Sequence, residues 1–394
     1  MLKNLAPQAP DKIIQLIGMY AADPRDQKID LGVGIYKDET GKTPVMRAVK
    51  AAEKKLLETQ ASKSYVGLLG DLGFVGAMRD LVFGEGVLAD RIVGAQTPGG
   101  TGAIRQLLEL VKLANPEATV WISNPTWPNH PAILKYLKIP TKSYRYFDDA
   151  TRSVDFDGMK ADLAGIGPDD VVLLHGCCHN PTGANLTLVQ WEEITDLVVT
   201  SGATPMIDIA YQGFGDGLDE DAAGVRHMAS KVPQMLLAAS CSKNFGLYRD
   251  RVGAAYSLVA DDATLALTKG AMTALNRLNF SFPPDHGAKV VEIILKDPEL
   301  RADWQAELEE MRLRMLTLRE GLAAELKRES NSDRFEFIKE HRGMFSRLGA
   351  SEDKVVKMRE TDGIYMVGDS RFNVAGLPGD KLGKLAKAIV AAGI

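Results

Sequence analysis

Apolar residues from about Gly99 to Gly253 fall into short runs that alternate with helix-like stretches. The clearest apolar runs are Ala118–Ser123, Asp170–His175, Thr204–Ile209 and Met235–Ala239. Each run is short and is followed by polar or glycine-containing sequence, as is typical of strands in βαβ units. The pattern predicts an α/β fold with a mostly parallel central sheet.

The pattern changes after about residue 297. A stretch rich in Leu, Glu, Arg and Ala predicts a long helix over Pro298–Arg328. Strands are predicted at Phe335–Ile338 and Met344–Leu348, and a helical tail from Asp380. We therefore expect two domains, a large one over residues 41–309 and a smaller α/β one over residues 1–40 and 310–394.

Composition excludes several classes of protein. The chain has 394 residues, 45% hydrophobic and 25% charged, with a net charge of −5. It lacks the basic surface expected of a nucleic-acid-binding protein and any apolar run of roughly 18 residues that would span a membrane. Residues 1–7 do not resemble a secretory signal. Three cysteines, an odd and low number, favour a reducing cytoplasm.

Lys243 is the most informative residue. It lies in the run Ser240–Gly246, directly after the predicted strand Met235–Ala239. A lysine at the end of a buried strand, among small polar residues, can form a Schiff base with an aldehyde cofactor. Ligands of open α/β sheets gather at the carboxyl ends of strands, and all four predicted strands end in candidate chemical groups.

Two segments could hold a phosphate. The glycine-rich turn Pro98–Ile104 opens a predicted helix, where free backbone N–H groups and the helix dipole favour an anion. By itself it could be a plain strand-to-helix turn. Ser240 and Arg251 flank Lys243, and the planar fork of an arginine suits phosphate, although Arg251 alone could be a surface charge.

Four more side chains could surround a flat ring. Trp127 lies on a proline-flanked loop where it could stack on a heteroaromatic ring or simply fill the core. Asn180 could hydrogen-bond a phenolate oxygen. Asp208 lies inside an apolar strand, which is costly unless the carboxylate has a partner such as a protonated ring nitrogen. Tyr211 could reach the same ring from the other edge.

A zinc site is disfavoured. His175, Cys177, Cys178 and His179 lie close together, but no second Cys/His pair follows at zinc-site spacing. We expect no metal.

Together these motifs resemble the class I, fold-type I pyridoxal-phosphate aminotransferases of the aspartate and aromatic amino acid subgroup. The resemblance runs along essentially the whole chain. It is carried by Leu31–Asp38, Gly99–Gly102, Asn124–His130, His175–Gly183, Asp208–Tyr211, Ser240–Arg251, Arg277–Pro284 and Arg371–Gly376.

The resemblance implies roles toward the cofactor, pyridoxal 5′-phosphate. Lys243 would hold it and shuttle a proton, and Asp208 would keep the pyridine nitrogen protonated. Asn180 and Tyr211 would bind the ring oxygen, and Trp127 would stack on the ring. The phosphate would be held by Gly100, Thr101, Ser240 and Arg251.

The resemblance also implies a homodimer with shared active sites. Tyr65 would reach the phosphate in the neighbouring subunit, and Arg277 would meet a substrate side-chain carboxylate there. Arg371 would bind the substrate α-carboxylate, aided by Gly34 and Asn180.

Two positions bear on the substrate. Ser64 and Phe282 stand where aspartate-type members commonly have asparagines, although Lys37 and Thr43 remain as in those enzymes. The similarity is closest to bacterial aromatic amino acid aminotransferases. We expect amino transfer from aromatic or acidic L-amino acids to 2-oxoglutarate, ping-pong through a pyridoxamine phosphate form. A dedicated aspartate aminotransferase is the alternative.

Two other classes are disfavoured. A pyridoxal-phosphate lyase or decarboxylase would not need both carboxylate-binding arginines. A non-catalytic regulator would usually carry an attached DNA-binding segment, whereas this chain is not basic and keeps Lys243.

Overall fold

A computed structural model describes residues 1–7 and 10–394. The helices are α1 Lys12–Ala22, α2 Arg47–Thr59, α3 Leu72–Phe83, α4 Gly99–Ala114, α5 Asn129–Leu137, α6 Phe156–Leu163, α7 Leu188–Ser201, α8 Ala223–Lys231, α9 Asp262–Asn279, α10 His286–Lys296, α11 Pro298–Ser330, α12 Phe337–Glu340, α13 Glu352–Asp362 and α14 Leu382–Ala391. The strands are β1 Ile29–Asp30, β2 Ile92–Pro98, β3 Thr119–Asn124, β4 Thr141–Arg145, β5 Phe147–Asp148, β6 Ser153–Val154, β7 Asp170–His175, β8 Thr204–Ile209, β9 Met235–Ser240, β10 Val252–Leu258, β11 Phe345–Arg347, β12 Ile364–Tyr365 and β13 Arg371–Asn373.

The chain divides into two compact units. The large unit is Pro44–Arg314, and the small unit is Met1–Thr43 with Met315–Ile394. The second division falls within α11, which continues from one unit into the other.

A seven-stranded sheet forms the centre of the large unit. Its order is β2-β10-β9-β8-β7-β3-β4, and every neighbouring pair is parallel except those made by β10. The predicted mostly parallel sheet is therefore confirmed. The four predicted strands are β3, β7, β8 and β9, with ends within one residue of the prediction.

Strand composition explains this sheet. Strand β9 is buried at every position and β7 at its four central ones, as expected when helices cover both faces of a parallel sheet. Helix α4 presents Ala103, Ile104, Leu107 and Leu108 to a core that includes Val120 of β3. Burial of these apolar side chains provides the main stabilisation of the unit.

The sheet brings its chemically important ends to one edge. The parallel strands β2, β3, β7, β8 and β9 all end there, and β10 begins there because it runs the opposite way. Residues that follow the parallel strands and residues that precede β10 are therefore neighbours in space.

The small unit has its own sheet pairs and core. Strand β1 pairs in parallel with β12, and β11 pairs antiparallel with β13. A second hydrophobic cluster joins Leu318 and Leu322 of α11 to Leu385 and Ile389 of α14.

One predicted element of this unit was wrong. The run Phe335–Ile338 is mostly apolar, as a short strand would be, but Phe335 and Glu336 lie in a turn and Phe337 and Ile338 begin α12. The Ile338 amide donates to the Phe335 carbonyl at 3.1 Å, and Arg319 donates to the Ile338 carbonyl, also at 3.1 Å. Local bonding and a buried arginine thus replace the ladder hydrogen bonds that a strand would need.

Among the described residues, no helix combines the length and the apolar character that crossing a bilayer requires.

Candidate active site

The first turn of α4 forms a cradle at the sheet edge. Gly99 has a φ of +72°, a left-handed conformation that glycine adopts without strain. A Cβ atom at Gly99 would lie 2.5 Å from Nη2 of Arg251, and one at Gly100 would lie 3.0 Å from the Cβ of Ser240. Only glycines allow this approach. The turn therefore brings its free backbone N–H groups beside a guanidinium and a hydroxyl, a donor set suited to a phosphate.

Arg251 is held toward this cradle by its neighbours. Its Nη1 atom donates to Oγ of Ser242 at 3.4 Å and to the carbonyl of Tyr248 at 3.3 Å. Its φ of +57° is uncommon for a residue with a side chain, and such backbone outliers cluster at functional sites. Thr101, in the same helical turn, completes the predicted phosphate set.

Lys243 follows β9 within the same group of residues. Its Nζ atom lies 4.6 Å from the ring centroid of Tyr211, which follows β8. The pKa of Lys243 is lowered to about 8, because burial and, to a smaller extent, the charge of Arg251 outweigh the opposing effect of Asp208. A substantial fraction of this amine is therefore neutral, and nucleophilic, near physiological pH.

Asp208 lies at the end of β8, opposite His175 of β7 and Ala238 of β9. Burial by itself would raise the pKa of this carboxyl. The hydrogen bond with His130, together with electrostatic interactions with His130, His175 and Lys243, outweighs burial and lowers the pKa of Asp208. Asp208 is therefore an ionised carboxylate that could pair with a cationic N–H group.

A chain of hydrogen bonds runs back from Asp208. Nε2 of His130 lies 3.0 Å from Oδ2 of Asp208, and Nδ1 of His130 lies 2.9 Å from Oγ1 of Thr126. The same hydroxyl lies 3.1 Å from Nε2 of His175. Burial lowers the pKa of His175 to about 3, so this imidazole is neutral at physiological pH.

Sequence reasoning named neither Thr126 nor His130 as a functional residue. The available signal was a polar cluster at the end of a predicted strand, because Asp208, the partner of His130, is 78 residues away along the chain and His175, a partner of Thr126, is 49 residues away. Ser242, which accepts a hydrogen bond from Arg251, was also not named, although it lies next to Lys243 in the run Ser240–Gly246.

The remaining predicted ring-binding residues lie on loops at the same edge. Trp127, half-buried on the loop after β3, meets the ring of His130 edge-to-face at 5.2 Å. Asn180 follows β7 and is buried. The sheet thus brings together residues from five segments of the chain.

Two more predicted site residues of the large unit, Tyr65 and Arg277, are exposed, as is Arg251 of the cradle. The ring of Tyr65 is 83% exposed and stacks on Phe282 with centroids 4.6 Å apart. Arg277 lies with its guanidinium carbon 5.9 Å from the Phe282 centroid, and its Nη1 donates to Oγ of Ser281 at 3.3 Å. These four residues form a cluster, which we call the Phe282 cluster.

Gly34 and Arg371 belong to the small unit. Arg371 is buried in β13 and donates from Nη2 to the carbonyl of Gly32 at 3.1 Å. Its guanidinium carbon lies 4.5 Å from the ring centroid of Phe345. A Cβ atom at Gly34 would lie 2.9 Å from Cζ of the same ring, so this glycine permits close packing.

The histidines and cysteines considered for zinc have other surroundings. Nε2 of His179 lies 3.1 Å from Oγ of Ser123, and its Nδ1 lies 2.9 Å from Oγ1 of Thr182. Among the described residues, the potential ligand atoms of Cys177, Cys178 and Asp221 lie within 4.8 Å of one another.

The Asp221 carboxylate, however, already has protein partners. It accepts backbone hydrogen bonds from Gly213, Gly215 and Asp216 at 2.8–3.0 Å. The hydrogen bond with Cys178, together with burial, raises the pKa of the Cys177 thiol. Because metals bind the thiolate, both features work against coordination.

Comparisons with known proteins show the family of this chain. The model of the family "Aminotransferase class I and II" matches residues 26–389. An aromatic-amino-acid aminotransferase of Paracoccus denitrificans is 59% identical over 394 residues, which is 100% of both chains. An aspartate aminotransferase of Salmonella typhi is 43% identical and covers 99% of this chain and 100% of its own.

A solved structure is similar over the same length. It is an aromatic-amino-acid aminotransferase from Burkholderia pseudomallei, described as covalently bound to pyridoxal phosphate. It superposes with a TM-score of 0.97 at 39% identity and covers 100% of this chain and 99% of that one. The α/β fold is therefore the fold-type I aminotransferase fold, and the chain belongs to the class I and II aminotransferase family.

Proposed function

We propose that this aminotransferase uses pyridoxal 5′-phosphate to move amino groups from aromatic and acidic L-amino acids to 2-oxoglutarate. The observation that carries the proposal is the placement of Lys243, Asp208 and the α4 cradle at one sheet edge. The 59% identical aromatic-amino-acid aminotransferase supports the substrate class.

The residues of this edge fit the cofactor. Pyridoxal phosphate has an aldehyde, a basic ring nitrogen, a ring oxygen and a phosphate. Each has a matching group here: the partly neutral amine of Lys243, the carboxylate of Asp208, the side chains of Asn180 and Tyr211, and the cradle with Ser240 and Arg251. Trp127 would cover a ring face. The cradle is complete only because Gly99 and Gly100 lack side chains.

When bound, the cofactor would supply an aldehyde that condenses with amines and a protonated ring that accepts the electron pair released at the substrate Cα. Lys243 would perform the proton transfer. Its Nζ, with a pKa lowered to about 8 mainly by burial, would be the base that takes the proton from the substrate Cα and delivers it to the former aldehyde carbon of the cofactor.

Asp208 would keep the ring nitrogen protonated. A carboxylate beside a basic nitrogen raises the pKa of that nitrogen by charge pairing. His130 would orient the carboxylate and keep it ionised through the 3.0 Å contact, and Thr126 would fix the imidazole. These residues thus determine how strongly the ring attracts electrons.

Two arginines would bind substrate carboxylates. Arg371 would take the α-carboxylate with its planar fork, and Arg277 would take the side-chain carboxylate of aspartate, glutamate or 2-oxoglutarate. Arg277 is exposed, and within the described part of the chain its side chain makes a 3.3 Å hydrogen bond and lies 5.9 Å from the centroid of the Phe282 ring. It is therefore free to move when an aromatic side chain enters, and the rings of Phe282 and Tyr65 offer an apolar surface for that side chain.

A half-reaction tests the proposal. Cofactor-loaded protein is mixed separately with excess L-phenylalanine and L-aspartate, and the cofactor absorbance is followed until 2-oxoglutarate is added. We expect fast conversion with both amino acids and recovery with 2-oxoglutarate. Lys243→Ala should abolish the fast conversion, a loss of at least roughly 10²–10⁴-fold. Absence of conversion with every amino acid would refute amino transfer.

A dedicated aspartate aminotransferase is the second candidate. The 43% identical aspartate aminotransferase and the presence of Arg277 favour it. Conversion by aspartate alone in the same half-reaction would support this candidate, and the substitutions at Ser64 and Phe282 would then be neutral.

A homodimer with shared active sites is part of the proposal. Tyr65 and Arg277, the residues assigned to the neighbouring subunit, are exposed. Large apolar side chains are also exposed on the large unit, among them Leu57 at 85% and Leu278 at 81%. Such exposure is expected where a second subunit binds.

Dimers assembled from two different variants test whether each active site contains residues of both subunits. Subunits with Lys243→Ala and subunits with Arg277→Ala are each expected to be poorly active with aspartate. In a hybrid, one site carries both substitutions and the other carries neither. Unfolding and refolding the mixture should therefore restore aspartate activity, whereas sites built within one subunit would give no recovery.

We also place the enzyme in the cytoplasm, with no nucleic-acid or membrane partner. Support comes from the three cysteines, all buried and none in a disulfide, and from the net charge of −5.

A further inference from the structure

Arg319 is an arginine buried in the core of the small unit. It lies in α11 and is 0% exposed. Nη1 donates to the Ile338 carbonyl at 3.1 Å and to Oγ of Ser346 at 2.7 Å. Nη2 donates to the carbonyls of Gly343 and Phe345, both at 2.8 Å. A buried guanidinium is costly unless its donors have partners, so these bonds hold the segment from Ile338 to Ser346 in one arrangement.

That segment ends in β11, which carries Phe345. Strand β11 pairs with β13 so that Phe345 lies opposite Asn373 and Arg347 lies opposite Arg371. Because alternate residues of a strand share a face, Phe345 and Arg371 are on the same face of this pair. The guanidinium carbon of Arg371 lies 4.5 Å from the centroid of the Phe345 ring, within the range of a cation–π contact.

The other surroundings of the Phe345 ring are also fixed. Gly34 packs against its Cζ atom, where a Cβ would lie 2.9 Å away. Asn373 holds this glycine in place, because its Nδ2 donates to the carbonyls of Val33 and Ile35 at 2.6 and 2.7 Å. The ring is thus held through its backbone by Arg319, at its tip by Gly34 and on its face by Arg371.

We propose that Arg319 and Phe345 are positioning residues for Arg371. Arg319 fixes the backbone of Phe345, and the ring of Phe345 fixes the plane of the Arg371 guanidinium. The hydrogen bond to the Gly32 carbonyl fixes one Nη of Arg371. A flat guanidinium supported on one face presents its edge to a planar carboxylate, which is the geometry of bidentate binding. The proposal rests on the carboxylate-binding role of Arg371 given above.

This arrangement predicts which kinetic constant changes. Every amino acid and 2-oxo acid substrate carries the α-carboxylate, so loss of the support should weaken binding of aromatic and acidic substrates equally. Proton transfer by Lys243 uses different residues. The change should therefore fall on KM and on the affinity for simple carboxylates, and much less on kcat.

The test compares Phe345→Leu with Phe372→Leu. Both variants lose a buried ring from the β11–β13 pair, but Phe372 alternates with Arg371 along β13 and packs in the hydrophobic core. The probe is 3-phenylpropanoate, a carboxylate without an amino group. Its dissociation constant for cofactor-loaded protein is measured from the change in cofactor absorbance, alongside KM and kcat for phenylalanine and aspartate.

For Phe345→Leu we expect the dissociation constant of the probe and both KM values to rise about fivefold to tenfold. We expect kcat and the affinity for pyridoxal phosphate to change less than about twofold. Phe372→Leu should lower the unfolding midpoint in urea without these rises. Equal effects of the two variants, or an unchanged probe affinity in Phe345→Leu, would overturn the proposal.

Arg319→Lys gives the second test. The lysine keeps the charge but loses the two-nitrogen fork, in which Nη2 donates to the Gly343 and Phe345 carbonyls while Nη1 donates to the Ile338 carbonyl and Ser346. If the variant folds, judged by circular dichroism, we expect the same KM pattern as for Phe345→Leu. An unchanged KM in folded Arg319→Lys would contradict the role of Arg319.

Two further outcomes separate this inference from the proposed function. Absence of amino transfer by the unsubstituted enzyme would refute the function itself. An unchanged probe affinity in Arg371→Ala would refute the role of Arg371. If this inference alone fails, the unsubstituted enzyme will still transfer amino groups and Arg371→Ala will still bind the probe weakly. Phe345→Leu will then have the probe affinity and KM values of the unsubstituted enzyme.

Discussion

Nε2 of His130 lies 3.0 Å from Oδ2 of Asp208, and this contact keeps a buried carboxylate ionised. The hydrogen bond and the neighbouring charges act against burial, which alone would raise the pKa of Asp208. In the proposed function, protonation of the cofactor ring nitrogen therefore depends on His130, to which no contact with the substrate is assigned.

His130→Ala should make the cofactor ring a weaker acceptor of the electron pair from the substrate Cα. Without the hydrogen bond, burial raises the pKa of Asp208, and the carboxylate pairs less strongly with a protonated ring nitrogen. A change of about one pKa unit corresponds to about a tenfold slower half-reaction with phenylalanine. Stopped-flow absorbance measures this rate. Thr126→Val, which removes only the hydroxyl beside Nδ1 of His130, serves as the comparison and should slow the reaction less. A normal rate in His130→Ala would contradict the role of His130 in keeping Asp208 ionised.

Loading of the apoprotein with pyridoxal phosphate should depend on pH through Lys243. Its lowered pKa of about 8 means that the amine is protonated and unreactive below that pH and neutral above it. The rate of covalent binding should therefore rise with pH and level off above about 8. Asp208 raises the pKa of the lysine, so Asp208→Asn should move the midpoint to lower pH. Lys243→Ala is the control, and a rate independent of pH in the unsubstituted protein would contradict this assignment.

Arg277→Ala should discriminate between substrates. Losing a charged hydrogen-bond partner of a carboxylate costs roughly 1.5–3 kcal/mol, a fall of roughly 10- to 150-fold in kcat/KM for aspartate. Phenylalanine has no such carboxylate and should lose less than about threefold. Arg277→Lys keeps the charge and should retain part of the aspartate activity. Equal losses of kcat/KM with both substrates would show that Arg277 does not discriminate between the side chains of aspartate and phenylalanine.

Phe282→Asn should shift specificity toward acidic substrates. The ring now stacks on Tyr65 at 4.6 Å and gives the Phe282 cluster its apolar surface. Replacing it with an amide should change the ratio of kcat/KM for phenylalanine over aspartate by about tenfold, within the range of apolar pocket discrimination. Phe282→Leu keeps an apolar side chain and should change the ratio less. An identical ratio in Phe282→Asn would remove this residue from the specificity determinants.

Trp304→Phe should destabilise the loop after Lys243. The Trp304 indole N–H donates to the Asn244 carbonyl at 2.7 Å, and its ring stacks on Phe245 with centroids 4.5 Å apart. Phenylalanine keeps the ring contact but leaves a buried carbonyl without this donor, at a cost of about 1–3 kcal/mol in the free energy of unfolding. Urea unfolding measures the cost. Trp304→Leu also loses the stack and should be less stable still, while an unchanged midpoint for Trp304→Phe would mean that the bond contributes nothing.

Prediction from the sequence was most accurate where periodicity and local chemistry agree. Strands β7 and β8 begin and end at the predicted residues, because each is a mostly apolar run bounded by polar or glycine-containing sequence. The prediction at Phe335–Ile338 was wrong because a short apolar run resembles a strand, whereas in the structure the Ile338 carbonyl accepts a hydrogen bond from Arg319 instead of from a neighbouring strand. That donor lies 19 residues away along the chain.

The sequence by itself determined the fold class, the order of the central strands along the chain and the residue types at their ends. These depend on local patterns: apolar runs, a glycine-rich turn, and a lysine and an aspartate at or near the ends of apolar strands. Only the tertiary structure decided which side chains support them. The contacts of His130 with Asp208, Ser242 with Arg251 and Phe345 with Arg371 join segments that the parallel sheet or a strand pair brings together. Their pKa values and orientations arise from burial and distance, which exist only once the chain has folded.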